Sequence, residues 1–573
     1  MNTSFIQKKS LIIFLLCLIA FSINQYFGYV GIMPLDSFLV FNSAYDILLG
    51  FTPFKDFWSI KEVFIDLMQF ALFKIFGVSW FVYVMHASLM NALFVISTFL
   101  ILDYFKLSRL INIILCICLS GILYPLSGTP FSDFHSTIFS LVALYIFLFA
   151  VKSNNLFAWF FLPIIMMFAF FSKQTPAAYV IIIISFFSLI YFSKNFNIKK
   201  ILYGLIGTIF SFSLIWLFLF FNKINFNDFL IQIFLFPQSL GESRTEWLFP
   251  LEFKRFFLRF KYIHLSTFFI IYAFFKLLVL RKSENFNDKL ILLTLYLTSI
   301  FFIIHQLMTI NAIFIFCLVP IMIGFSLVYF PINNHKLKKV LVNILILISF
   351  SNSVYYFNTY VQKRTFMDLK NVDLKNSLRG ELLHPMLKDI RWITPNYKDN
   401  AELEIKLLKD SMDILNNDLN KYMLISDYQI ISVLTNRYDF APIRFWYEFH
   451  GYPDQSNKYF KEWKRFFLNN VSKNKIEKFY ILGTLHGSIN PLNDIYGEAC
   501  QKNTKLKLVE SPLHLTFNIG RDGDLINQIS AQLTIPDIYS FDSTIPGGNS
   551  TDKATQFRWI SRLGEYIVKE AVF

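Results

Sequence analysis

The chain has 573 residues, 55% of them hydrophobic, with 71 Phe and a formal net charge of +14. That is too apolar for a water-soluble protein, and the apolar residues fall in blocks, so the composition points to a polytopic membrane protein. The Lys and Arg residues flank those blocks without forming a stripe, which removes nucleic acid as a partner, and Cys17, Cys116, Cys118 and Cys317 lie inside apolar segments, which leaves no disulfide framework.

In chain order, Lys8 and Lys9 precede an apolar run over 10–27 with no small-residue cleavage site after it, the pattern of an uncleaved first span. Further spans are expected at 79–102, 110–125, 137–151, 156–172, 176–192, 201–222, 265–280, 290–306, 311–330 and 340–358, about eleven in all. If they alternate, Lys8, Lys9, Lys106, Arg109, Lys152, Lys194, Lys199, Lys200, Arg281, Lys282, Lys289, Lys336, Lys338 and Lys339 share one side, and the short connections of the other side carry only Lys173. The first side, with the N-terminus, is then cytoplasmic. The loops 28–78, 126–136, 172–175 and 223–264 and everything after 358 are outside.

The segment Lys61–Phe76 is apolar enough to be taken for a span. At about 1.5 Å per residue it reaches only about 24 Å, short of a hydrocarbon core of roughly 30 Å. Glu62, Asp66 and Gln69 recur on it at helical spacing, so it is expected to lie along the interface.

Beyond residue 358 the composition becomes that of a water-soluble domain, which divides the chain into a transmembrane part, 1–358, and an extracytoplasmic part, 359–573. There Glu402–Leu415 and Asp427–Leu434 read as helices, and Tyr422–Ile425 and Phe479–Leu482 as buried strands, so an α/β domain fits 400–510 best. From Gly520 onward the composition suits a strand-rich or partly disordered tail.

Charges out of place mark the candidate chemistry. The stretch Pro34–Gly77 puts Asp36, Asp46, Asp56 and Lys61 directly after the first span. Asp36 also suits an N-cap, with Gly50 closing the same helix, and Lys61 suits an interfacial lysine that snorkels. Lys173, in Ser172-Lys173-Gln174-Thr175-Pro176, sits where positive charge is otherwise excluded, which suggests an anionic partner such as phosphate. Asp133 and His135 could join a metal or acceptor site, or simply begin the next helix. Arg244 is either a second phosphate contact or a solvated loop residue. His86, Asn91 and His305 suit hydrogen bonds between spans. The chain has no Walker loop, zinc spacing, Ser-His-Asp order or dinucleotide fingerprint in a credible context, which argues against ATP-driven transport.

A first span, an acidic residue before a helix, Gly-x-x-Pro-aromatic-x-Asp-aromatic-Trp over Gly50–Trp58, then a lysine opening an interfacial helix that ends in Phe-Gly: this order resembles the GT-C superfamily of polyprenyl-phosphate-sugar-dependent glycosyltransferases. The similarity is to the branch with aminoarabinose transferases and protein O-mannosyltransferases, with motifs over roughly residues 1–200 and architecture alone beyond. Ser37 stands where many relatives have a second acid, and Glu62 where many have proline.

The resemblance implies an inverting transfer of a sugar from a polyprenyl phosphate to a glycan, lipid or protein acceptor. Asp36 would be the base and Asp56 would orient the acceptor or assist. Lys61 and Lys173 would hold the phosphate, with Arg244, Asp133 and His135 as further substrate contacts. A divalent metal is optional, with Asp36 and Asp133 as its ligands. Two other readings stay open: a transporter or flippase of lipid-linked sugars, and an O-antigen polymerase or ligase. The unusual charges gather at one surface, against the midplane expected of a transport site.

Overall fold

The computed structural model describes residues 3–248, 252–279, 286–311, 313–329, 335–446, 451–454, 456–476, 478–482, 504–511 and 514–521. The chain is a mostly helical, multi-pass membrane protein. Its helices are α1 (Thr3–Phe27), α2 (Pro34–Leu48), α3 (Val63–Phe76), α4 (Trp80–Tyr104), α5 (Arg109–Ser120), α6 (Ser132–Lys152), α7 (Leu156–Ser172), α8 (Gln174–Lys194), α9 (Ile198–Phe221), α10 (Phe226–Leu230), α11 (Phe236–Arg244), α12 (Lys261–Val279), α13 (Phe286–Met308), α14 (Leu318–Tyr329) and α15 (His335–Tyr356). Among the described residues nine helices are long and apolar enough to cross a membrane, and α7 and α14 are apolar but shorter. The short α3 is in neither group.

Burial separates lipid-facing helices from central ones. On α9 only Lys200, Gly207, Ser211 and Leu219 are buried, while Phe212, Trp216 and Phe220 are exposed, as for a helix against lipid. α6 is buried along nearly its whole length, among α4, α7, α8 and α13. Polar contacts sort by end. Lys9 pairs with Asp103 at 2.7 Å and Lys152 with Asp288 at 2.5 Å at one end of the bundle, and Lys173 pairs with Asp133 at 2.6 Å at the other.

Beyond α15 the chain returns to the first loop. The Arg364 guanidinium is buried, with no carboxylate beside it among the described residues, and donates to the carbonyls of Val30 (2.8 Å), Pro125 (2.8 Å), Leu126 (3.2 Å) and Ser127 (3.1 Å). It thus fastens three connecting segments by satisfying backbone acceptors that would otherwise be stranded. Strands β1 (Leu378–Arg379) and β2 (Arg391–Trp392) form a short antiparallel ladder, and β2 also bridges Val30.

Next come α16 (Ala401–Asn417), β3 (Tyr422–Ser426), α17 (Ile430–Leu434), α18 (Phe460–Asn474), β4 (Lys478–Leu482), β5 (Thr504–Ser511) and β6 (His514–Arg521). The sheet runs β3-β4-β6-β5, with β3 and β4 parallel and the other pairs antiparallel. The expected strands over 422–425 and 479–482 fall within β3 and β4, whereas β5 and β6 had no sequence-based expectation. The tail beyond Arg521 lies outside the described residues.

The C-terminal part is not packed as a separate body. Phe38, Phe41 and Tyr45 of α2 and Ile65 and Phe73 of α3 share one apolar core with Trp392, Leu408, Tyr422, Leu424, Ile431 and Tyr480. The polar side of α3 correspondingly turns inward, contrary to the simplest expectation for an interfacial helix. Glu62, Asp66 and Gln69 are buried, while Lys74, Ile75 and Phe76 are exposed.

Gly128 stands at φ +75, and a Cβ there would lie 2.6 Å from Gly28 Cα and 2.8 Å from Phe27 C, both backbone atoms. Gly128→Ala is therefore expected to destabilise the fold by about 2–5 kcal/mol, from the left-handed backbone together with overpacking. Thermal unfolding of the purified protein checks this, and an unchanged midpoint would contradict the close approach.

Candidate active site

The connection between α1 and α4 is held in shape by turns and by contacts from distant segments. Pro34 opens α2 with Met33 as its N-cap residue, and Ser37 Oγ accepts from Met33 N at 3.0 Å. Asp36 therefore sits in the first turn and does not serve as the cap, which corrects that reading; its carboxylate is favoured there by the helix dipole. Among the described residues it makes no hydrogen bond or ion pair of its own. Leu49 is the C-cap and Gly50 follows at φ +96.

Lys61 is placed by stitches on both sides. Ser59 N donates to Gln232 Oε1 at 2.8 Å, and Gln232 Nε2 donates to Phe54 O at 3.1 Å. Gln174 Nε2 donates to Ile60 O at 2.6 Å and Ile233 O at 3.0 Å, and Glu62 N donates to Ser172 O at 3.2 Å. The turn between α7 and α8, which carries Lys173, is thereby fixed against the residues around Lys61 and against the segment that continues to Arg244. Lys61 Nζ lies 3.6 Å from Glu62 Oε1 and 4.5 Å from the centre of the Phe445 ring. Glu62 itself adopts φ +73, which lets its buried carboxylate face back toward Lys61.

Lys173 Nζ pairs with Asp133 Oδ2 at 2.6 Å, and Ser136 Oγ donates to Lys173 O at 2.9 Å. Asp133 follows Phe131, the N-cap residue of α6, and its side chain makes no capping bond, so it serves the ion pair instead. The half-buried Asp36 carboxyl is pushed up to about 6, chiefly by burial; Lys61 and Lys173 oppose the rise, and Glu62 and Asp133 add to it. Burial pulls the Lys173 ammonium below the usual lysine range, Asp133 pushing back and Lys61 and Arg244 adding to the fall. Asp36, Lys61, Lys173 and Asp133 thus influence one another's charge from three separate connections, and Arg244, on a fourth, joins them through Lys173. Their charges, with Glu62, amount to three acids against three bases.

Two sequence-based candidates lie elsewhere. Asp56 closes its own turn, Oδ2 accepting from Thr52 N at 2.9 Å, and docks α18, Oδ1 accepting from Lys473 Nζ at 2.8 Å. His135 points into the helix core: its Nε2 lies 3.0 Å from His86 Nε2, its Nδ1 meets the Tyr124 hydroxyl, and His86 Nδ1 lies 2.9 Å from Gln69 Oε1. That chain ties α3, α4 and α6 together. Asn91 likewise bridges segments, donating to Ala20 O and Ser120 O at 2.9 Å each.

Among the described residues no three His, Cys, Asp or Glu side chains gather as metal ligands, and Asp133 Oδ2 is taken by the Lys173 ammonium.

The structure adds Arg444 and Asp439, which the sequence did not single out. Arg444 is buried and donates from Nε to Asp46 and from Nη1 to Asp439 Oδ1 at 2.9 Å, which clasps α2 to the segment carrying Phe445. Burial raises the Asp46 carboxyl above the usual carboxylate range, Arg444 pulling it back and Asp439 adding to the rise. On α3, Asp66 is raised well above the usual carboxylate range, mainly by burial. No family model matches the chain, and no curated protein matches it either.

Proposed function

We propose that the protein is a GT-C-type glycosyltransferase that moves a sugar from a polyprenyl-phosphate donor to an acceptor at the outer membrane surface. On this reading α7 and α14 also span, which makes eleven passes with the N-terminus cytoplasmic and the region after α15 outside. The single observation that supports it best is the gathering of Asp36 and Lys61, from the connection between α1 and α4, with Lys173, from the turn between α7 and α8.

The acceptor hydroxyl attacks the anomeric carbon while its proton passes to the Asp36 carboxylate. The bond from that carbon to the phosphate oxygen breaks, and its electron pair stays on the leaving polyprenyl phosphate. A phosphate monoester needs little protonation, so the chief requirements are cations around it and a base opposite. Lys61 and Lys173 meet the first, each ammonium having three donors, of which Lys173 commits one to Asp133. Asp36 meets the second.

The test is release of polyprenyl phosphate by purified protein given polyprenyl-monophosphate and polyprenyl-diphosphate sugars in parallel, with acceptor supplied as a membrane extract. Turnover of a monophosphate donor is expected; turnover of diphosphate donors alone would point to a polymerase or ligase. Lys61→Ala should weaken polyprenyl phosphate binding about 10- to 100-fold, the worth of a charge-assisted contact. Unchanged affinity would remove Lys61 from the phosphate site. With the Asp36 carboxyl near 6, kcat/KM should be flat above about pH 7 and fall about tenfold per unit below pH 6, because only the ionised form accepts the proton. A pH-rate profile with no acid limb would rule out Asp36 as the base.

A further inference from the structure

His305 lies near the C-terminal end of α13, at the end of the bundle where Lys173 and Asp133 pair, and it is 2% exposed. The charges acting on it are those of Lys173, Asp133 and Arg244. Its neighbour Gln306 settles which ring nitrogen holds the proton. Gln306 Oε1 accepts from Phe314 N at 3.3 Å, so the amide nitrogen is the atom facing His305 Nδ1, also at 3.3 Å. An Nδ1 that receives an N–H keeps its lone pair, and the imidazole proton therefore sits on Nε2.

Among the described residues that Nε2 has no hydrogen-bond partner. Asp133 Oδ1, the oxygen not used by Lys173, has none either. His305 and Asp133, close enough for each to feel the other's charge, thus present a buried donor and a buried acceptor with neither one satisfied. The group that completes both must accept from His305 and donate to Asp133. The diester phosphate of a sugar-linked lipid has no O–H to donate, and the Asp133 charge repels it. A hydroxyl does both.

We propose that His305 Nε2 and Asp133 Oδ1 together bind one hydroxyl of the donor's sugar, beside the cations that hold its phosphate. This rests on the reading of the site as one for a polyprenyl-phosphate sugar. His305 would then be a specificity residue, since a site that leaves two buried polar atoms unpaired discriminates against a ligand lacking the matching hydroxyl.

The experiment measures binding to full-length protein in nanodiscs of bare decaprenyl phosphate and of decaprenyl-phosphoryl-mannose and decaprenyl-phosphoryl-arabinose, for wild type, His305→Leu, His305→Gln and Lys61→Ala. His305→Leu should weaken the better-bound sugar lipid about tenfold, the usual loss for one hydrogen bond at a buried partner, and leave bare decaprenyl phosphate unchanged. His305→Gln, which keeps an N–H donor, should restore most of the loss. An equal loss for the bare phosphate would place the contact on phosphate and overturn the proposal. No loss for either lipid in His305→Leu would also overturn it, Nε2 then being satisfied by a buried water. In both cases the reading of the site stands if Lys61→Ala weakens bare decaprenyl phosphate. If Lys61→Ala changes nothing as well, the phosphate site itself is wrong and the proposal falls with it.

Discussion

Asp36→Asn is expected to cut sugar transfer by about a hundred- to ten-thousandfold, the range for loss of a positioned general base, while the protein folds as before. Folding is spared because Asp36 makes no hydrogen bond or ion pair among the described residues and does not cap α2, so an isosteric amide strands no partner. A second consequence separates a base from a phosphate ligand. Asp36, Glu62 and Asp133 balance Lys61, Lys173 and Arg244, and the substitution removes one negative charge from that set. The variant should therefore bind polyprenyl phosphate as tightly as wild type or more tightly. Weaker binding together with intact turnover would reverse the assigned roles.

Arg444→Leu should have the largest effect on stability. Its guanidinium is shared by Asp46 and Asp439, all three fully buried, and it lies 5.8 Å from the centre of the Phe57 ring and 5.4 Å from that of Tyr438. Removing it leaves two carboxylates without their cation in an apolar core, a loss of about 3–5 kcal/mol. The damage should not stay local. Phe445, the next residue, covers Lys61, and Trp58 N donates to Pro442 O at 2.6 Å, so this segment forms the outer wall beside the candidate phosphate site. Donor-lipid affinity should fall with stability. Replacing Arg444, Asp46 and Asp439 together by apolar residues should recover much of the stability, because the desolvation cost goes with the charges. If the triple variant is no more stable than Arg444→Leu, the clasp is not what joins the two parts.

What the sequence could disclose followed from what is local. Spans are visible because lipid demands long apolar runs, and Lys173 because a lysine stands where its side of the membrane excludes them. Asp36 and Lys61 stood out for the same reason, as charges beside a span. Asp56 misled because its place in a Gly-x-x-Pro turn says nothing of Lys473, 417 residues on, which engages its carboxylate. Arg444 was invisible for the same cause, being 398 residues from Asp46. The stripe of Glu62, Asp66 and Gln69 was correctly spaced, but spacing does not tell whether a polar face meets water or protein. Here it meets His86 and the site. His305 looked like an ordinary polar residue within a span, and only the orientation of Gln306 and the nearness of Asp133 distinguish it.

The most direct measurement is a cryo-electron-microscopy structure of the protein in nanodiscs with decaprenyl phosphate bound. The expected density has the phosphate in salt-bridge contact with both Lys61 and Lys173, its prenyl chain running back between the spans, and the Asp36 carboxylate facing it across a gap the size of a sugar ring. A phosphate bound away from these two lysines, or Asp36 turned away from the headgroup, would contradict the assignment of these residues as the place where the sugar is transferred.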